Sequence, residues 1–256
     1  MKPAIRTRKL EELTWIEFKK LVPKKLDSVL LPVGTVEAHG CTALGTDNIL
    51  PMAIAERIAE GVNALVAPVI PYGITRSLLA YPGSTTVTPE TLERYVWEVC
   101  TSLADTGFRR IAILNGHGGN TDALKNVCFR LYREKKVFCL VLDWWVHCSE
   151  EIREAYGHEG GHAGTDENGM MLALRPDLVR KELYKADLAF LAQPGVATSP
   201  FPGSIILYEK DEGYPDFDPE KAQKVLDLVC GRVEKTVSEV FRRWKEIEGS
   251  GDKGNK

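Results

Sequence analysis

Arg110-Ile-Ala-Ile-Leu114, running directly into Asn115-Gly-His-Gly-Gly-Asn120, is the stretch on which the fold turns. An unbroken apolar run with no polar alternation reads as a strand buried on both faces. The glycine-rich turn that follows leads to Leu124, Val127, Cys128, Leu131 and Tyr132, spaced as one face of a helix. Asn120 reads as the cap of that helix. Strand, polar turn, helix is the repeating unit, and it recurs on both sides.

Upstream, Ser28-Val-Leu-Leu-Pro-Val-Gly34 reads as a second buried strand, and Ile49 to Val62 has helical spacing. Leu65-Val-Ala-Pro-Val-Ile70 is strand-like, with Pro68 suited to an edge or a bulge. Thr88-Pro89 forms an N-cap and N1 pair ahead of Leu92, Tyr95, Val96, Val99, Cys100 and Leu103. Downstream, Val137-Phe-Cys-Leu-Val-Leu142 closes the series. Such alternation predicts an α/β domain with a mostly parallel sheet covered on both faces. Beyond residue 176 the pattern changes. Residues 190–217 carry Pro, Gly, Ser and aromatics without periodicity and read as loops over the domain or a subunit contact. Asp218-Pro219 then opens a long amphipathic helix that reaches Trp244. A single domain over residues 1–248 is expected, with residues 249–256 as a disordered tail.

Composition narrows the function. The chain has 256 residues, 33 Lys and Arg against 36 Asp and Glu, and a net charge of −3. That balance argues against nucleic acid as a partner. No run of 18 apolar residues exists. The N-terminus lacks the apolar core of a signal peptide. Neither a membrane partner nor export is expected. The six cysteines are dispersed and form no metal-type pair, which fits the reducing cytoplasm.

Three polar clusters follow predicted strands or fill glycine-rich loops. They are Glu37-Ala-His39-Gly40 with Asp47, then Asn115 to Asn120 with His117, and finally Gly157 to Glu167 with Glu159, His162, Asp166 and Glu167. Parallel α/β sheets present ligand sites at the carboxyl ends of their strands. Imidazole and carboxylate together suit Zn²⁺, Mn²⁺ or Fe²⁺. In an extended Glu37-Ala38-His39, residues i and i+2 point the same way and can reach one site. A carboxylate at Asp47 can bridge two ions about 3.5–4 Å apart. Each cluster alone has a plainer explanation, such as His117 or Asp47 capping a helix. Three of them at strand ends among glycines do not share one. Trp144 and Trp145 follow the last strand and are candidates to stack on a planar substrate or to cover the core. Asp143 either orients a metal-bound histidine or caps a turn. Asp166 reads as a supporting or solvated charge, whereas Glu159 stands as a further candidate catalytic group.

With these motifs in order, the sequence resembles the creatininase (creatinine amidohydrolase) family. Leu31-Pro-Val-Gly-Thr-Val-Glu37-Ala-His39-Gly40 with Leu44-Gly-Thr-Asp47, Asn115-Gly-His117-Gly-Gly-Asn120, and His162-Ala-Gly164 with Glu167 match its signatures. Tyr81-Pro-Gly-Ser84 is similar to its FPGT loop. The resemblance covers residues 28–175 and implies a three-layer α/β/α fold, two divalent metal ions per chain, C–N bond hydrolysis and a hexameric homo-oligomer. Zinc is the first choice of metal, with manganese or iron as alternatives. Carried over by position, Glu37 and His117 would hold one ion, His39 and Glu167 the other, and Asp47 would bridge. A hydroxide activated by the ions would attack a carbonyl, with His162 in proton transfer. Tyr81, Ser84, Gly118, Trp144 and Trp145 would meet a small-molecule substrate.

Departures from the pattern bear on that substrate. Ala38 stands for Gln, Gly161 for Glu, and Gly119 for a metal-binding Glu, while Glu167-Asn-Gly169 replaces Glu-Thr-Ser. They argue against creatinine itself. Formamidopyrimidine deformylases and mycofactocin-precursor peptidases are alternatives within the family. A non-catalytic, metal-containing oligomeric binding protein is the alternative outside enzymes.

Overall fold

Buried apolar strands and one-faced helices assemble as the pattern requires. The structure, a computed structural model, describes residues 5–251. After α1 (Trp15–Leu21) the chain enters β1 (Ser28–Val33), α2 (Thr46–Ile58) and β2 (Leu65–Val66). It continues through α3 (Pro89–Asp105), β3 (Arg110–Asn115), α4 (Thr121–Lys135) and β4 (Phe138–Asp143). The four strands form one parallel sheet in the order β2-β1-β3-β4. As Pro68 requires, the strand before it is the short edge strand.

Alternation of side chains gives the sheet two cores. On one face Val29, Leu31, Val33, Ile111 and Ile113 pack under α3 and α4. On the other, Leu30, Ala112, Leu114 and Leu142 meet α2 and three later helices. Those are α6 (Ser149–Tyr156), α7 (Thr165–Leu174) and α8 (Pro219–Gly251), the first reached from β4 through the single turn α5 (Trp144–His147). Helix, sheet, helix: the architecture is three-layer α/β/α. Thr88 caps α3 as its sequence suggested, accepting from the Thr91 amide with Pro89 at the first helical position.

Three expectations give way. A second, three-stranded sheet exists, built from β5 (Gly161–His162), β6 (Ala189–Leu191) and β7 (Ile205–Leu207) in the order β5-β7-β6. The stretch read as aperiodic loops therefore supplies two strands, and one of them pairs with His162. Asn120 does not cap α4 with its side chain. Its amide instead accepts from the Ile74 N–H at 2.9 Å and donates to the Gly34 carbonyl at 3.1 Å, tying three loops together. At the C-terminus α8 runs through Gly249 to Gly251, since its helical hydrogen bonds do not stop at the apolar face. The rest of the expected tail lies outside the described residues.

Candidate metal centre

The strand ends at Val33, Asn115 and Asp143 are in register, so the loops that leave them converge. Asn115 donates to Asp143 at 2.7 Å and to the His117 carbonyl at 2.8 Å, and accepts from the His117 amide at 3.1 Å. Thr121 donates to the other Asp143 oxygen at 3.0 Å. Asp143 thus orients His117 through Asn115. The loop after β1 folds back on itself, with the Glu37 amide donating to Leu44 O and the Thr42 amide to His39 O. Asp47 enters from the first turn of α2.

Glu37, His39, Asp47 and Glu167 are buried, and His117 and His162 lie at the edge of a cavity. His39 Nε2 is 2.8 Å from Asp47 Oδ1 and 3.5 Å from Glu167 Oε2. His117 Nδ1 is 2.9 Å from Asp47 Oδ2 and 3.0 Å from Glu37 Oε1. His162 Nδ1 is 3.6 Å from Glu37 Oε1. Two triads share Asp47, Glu37-Asp47-His117 and His39-Asp47-Glu167, and each could hold a divalent ion; a third group, Glu37-His39-His162, also lies close enough to hold one. Asp47 gives one oxygen to each of its two triads.

The second nitrogen of every imidazole is committed. His39 Nδ1 donates to Glu37 O at 2.9 Å, His117 Nε2 to Ile74 O at 2.9 Å, and His162 Nε2 to Ala38 O at 2.8 Å. A carbonyl only accepts, so these nitrogens carry hydrogen and the other three aim into the carboxylates. That is how metal-binding histidines are held. Glu37 Oε1 and Asp47 Oδ2 are buried and must share one imidazole nitrogen, His117 Nδ1, at 3.0 and 2.9 Å, with no hydrogen bond of good geometry to either. Buried anionic oxygens short of donors cost about 1–3 kcal/mol each. The donor set fits divalent cations.

Charge in the metal-free protein follows. Burial opposes a charge on His39, but Asp47, Glu167 and Glu37 outweigh it and raise its pKa to about 10. His117 is opposed by burial too, yet Glu37 and Asp47 lift it well above the ordinary value. His162 goes the other way: burial, then the positive charge of His39, lower it to about 4. It is the neutral imidazole of the three.

The cavity beside this cluster has a volume of about 730 Å³. Gly118, Trp145, Glu159 and His162 line it, as do Arg76 and Tyr208, which the sequence did not single out. Glu159 lies there with its carboxylate 2.7 Å from Arg153, so its charge is already partnered. Three expected substrate residues do not line the cavity. Trp144 is 1% exposed and packs in the core, because adjacent residues of a helical turn point apart. Tyr81 donates its hydroxyl to Phe201 O at 2.9 Å, and Ser84 Oγ accepts from the Ala38 amide at 3.0 Å. Both brace loops, and Ser84 braces the one bearing Glu37 and His39.

Comparison with known proteins gives the family. The profile of the creatininase family, creatinine amidohydrolase, matches residues 11–233. The chain belongs to the creatininase family. It is 33% identical over 189 residues to the creatinine amidohydrolase of Pseudomonas putida, covering 66% of this chain and 72% of that one. It is 32% identical over 173 residues to the mycofactocin precursor peptide peptidase of Mycolicibacterium smegmatis, covering 64% and 65%. A crystal structure of creatininase superposes with a TM-score of 0.81 at 26% identity, over 93% of this chain and 99% of that one. Creatininase structures similar to this chain include a Zn-Zn type and a Mn form. As a creatininase-family amidohydrolase, the chain is a hydrolase of C–N bonds.

Proposed function

We propose that this chain hydrolyses an amide, cyclic amide or formamide C–N bond of a small molecule with the help of two divalent ions. One ion would be held by Glu37, Asp47 and His117, the other by His39, Asp47 and Glu167. The observation that carries the reading is Asp47, whose two oxygens each face a different histidine nitrogen, at 2.8 and 2.9 Å. Bound there, paired ions supply Lewis acidity, polarising a carbonyl and easing ionisation of a water. The chain's own residues do the rest. Backbone carbonyls fix the tautomer and direction of each imidazole. His162, neutral at pH 7 and with Nε2 tied to Ala38 O, can take a proton on Nδ1 and return it to the leaving nitrogen. Trp145 and Gly118 form part of the cavity wall and would meet the substrate. Zinc is the proposed metal, with manganese or iron as alternatives.

Metal analysis of wild type and Asp47→Ala tests the centre. We expect about two ions per wild-type chain and none in the variant. A folded wild type that takes up no metal would refute the centre. A panel of lactams, formamides, cyclic ureides and short peptides then tests the reaction. Turnover of short peptides alone would favour peptide trimming, a reading supported by the 32% identity to a precursor peptidase. Metal binding without turnover of any substrate would favour the non-catalytic reading. Assembly as a homo-oligomer, a hexamer, belongs to the same proposal and is supported by Trp15, Phe129 and Val146, which are 74%, 73% and 64% exposed. Light scattering gives the mass. A cytoplasmic site of action is also proposed; among the described residues no helix is long and apolar enough to cross a membrane.

A further inference from the structure

The small sheet brings to the cavity a hydroxyl that the reaction above does not yet use. In the antiparallel β5–β7 pair, His162 lies opposite Ile206 and Gly161 opposite Leu207. Residues directly opposite share a face, and alternate residues along a strand share it too. Ile205 and Leu207 turn to a buried apolar cluster with Ala163. Ile206 and Tyr208 take the other face with His162, and all three line the cavity. Tyr208 keeps 60% of its surface accessible, and among the described residues no protein acceptor takes its hydroxyl. Desolvation first, then the charges of Glu167, Asp166 and Glu37, raise its pKa. Tyr208 shares the cavity wall with Glu37, Asp166 and Glu167, whose charges disfavour its ionisation.

The side chains of the metal cluster leave no neutral donor over. Holding metal, Glu37, Asp47 and Glu167 would only accept, and the second N–H of each imidazole is spent on a backbone carbonyl. Hydrolysis of an amide, the reading on which this inference rests, builds negative charge on the carbonyl oxygen, and a fixed hydrogen-bond donor at that oxygen lowers the barrier. We propose that Tyr208 is a catalytic residue that donates its hydroxyl hydrogen to the substrate's carbonyl oxygen, on the Glu167 side of the centre. No bond to Tyr208 is made or broken, and its proton stays on the phenol.

The test compares wild type with Tyr208→Phe in zinc-loaded protein, using a series of anilides with leaving groups of graded basicity. The expected result is a loss in kcat of about 10²-fold. KM should move by less than about threefold, metal content should be full, and the loss should be equal across the series. An unchanged kcat, a loss that grows with leaving-group basicity, or a drop in bound metal would each overturn the role. Inorganic phosphate, an oxyanion probe, gives an arm independent of turnover. Calorimetry should show it binding the zinc-loaded variant about tenfold more weakly than wild type. If the wild type cleaves no amide, the reading of the reaction falls while this arm still judges Tyr208. Equal phosphate affinities would then overturn the proposal.

Discussion

His39, His117 and His162 have the same side chain and one carbonyl partner each, yet their charges differ. His39 and His117 sit among the carboxylates and are protonated in metal-free protein, whereas His162 is pushed to about 4 and is neutral. Metal must displace the protons of the first two. Burial also raises the Glu167 carboxyl well above its ordinary value. Loading the chelated protein at pH 7.5 should therefore release at least two protons per chain, read with an indicator dye in weak buffer. The sign of the pH dependence follows. His39 and His117 have folded pKa values above the unfolded 6.5, so their ion pairs stabilise the metal-free fold fully below 6.5. That contribution is lost as pH rises towards about 10. The melting temperature of chelated protein should fall between pH 7 and 10, while the zinc-loaded protein should hold steady. A chelated protein indifferent to pH in that window would contradict the assignment. His162→Asn should keep both ions, because Glu37-Asp47-His117 and His39-Asp47-Glu167 are each complete without it, and lose about 10²–10⁴-fold in kcat. A variant that purifies without metal would make His162 a ligand instead.

At the scale of elements, the centre depends on how closely α2 approaches the ends of β1 and β3. A methyl group on Gly34 would lie 2.2 Å from the Asp47 carbonyl oxygen, and one on Gly116 would lie 2.1 Å from it. Neither distance is tolerable, and the obstacle is backbone. Gly34→Ala and Gly116→Ala should each push the first turn of α2 outwards and move Asp47. Both variants should lose bound metal, with a stability cost of about 1–3 kcal/mol for the overpacking. Full occupancy in either would mean that α2 does not set the position of Asp47. The same elements show what the sequence makes legible. β1, β3, α3 and α4 are long enough for their burial patterns to be read, and their polar loops announce a site at their ends. The β5-β7-β6 sheet was not readable, because Ile205-Ile-Leu207 is too short for a periodicity. Its pairing with Gly161-His162 is a long-range choice, and with it Tyr208 stayed hidden. Trp144 and Trp145 are identical neighbours, and only the packing of α5 decides which one the core takes. Asn120 is ambiguous for a related reason: a polar residue before a helix looks like a cap whatever its amide bonds elsewhere.

Across the whole molecule, stability and chemistry occupy opposite ends of the sheet. Arg110 opens β3 and Asn115 ends it, a separation of about 17 Å along the strand. The Arg110 guanidinium is buried, 2.5 Å from Asp27 and paired with Glu248 near the end of α8. It fastens the last helix, whose Val225, Leu226, Val229, Val233, Val237 and Phe241 cover one face of the sheet, to the edge farthest from the metal centre. Arg110→Met removes that fastening without leaving a buried charge alone, since Asp27 and Glu248 keep 32% and 38% of their side-chain surface in water. The cost should therefore fall below that of breaking a fully buried pair, at about 1–3 kcal/mol, or a melting temperature lower by about 3–10 °C. The loops after β1 and β3 are held by Asn115, Asn120 and Asp143, whose hydrogen bonds run among Gly34, Ile74, His117 and Thr121 rather than to α8. At 25 °C the variant should accordingly retain two ions and a kcat/KM within about twofold of wild type. A parallel fall in metal content and turnover, with the fold intact by circular dichroism, would show instead that α8 reaches the centre through the sheet.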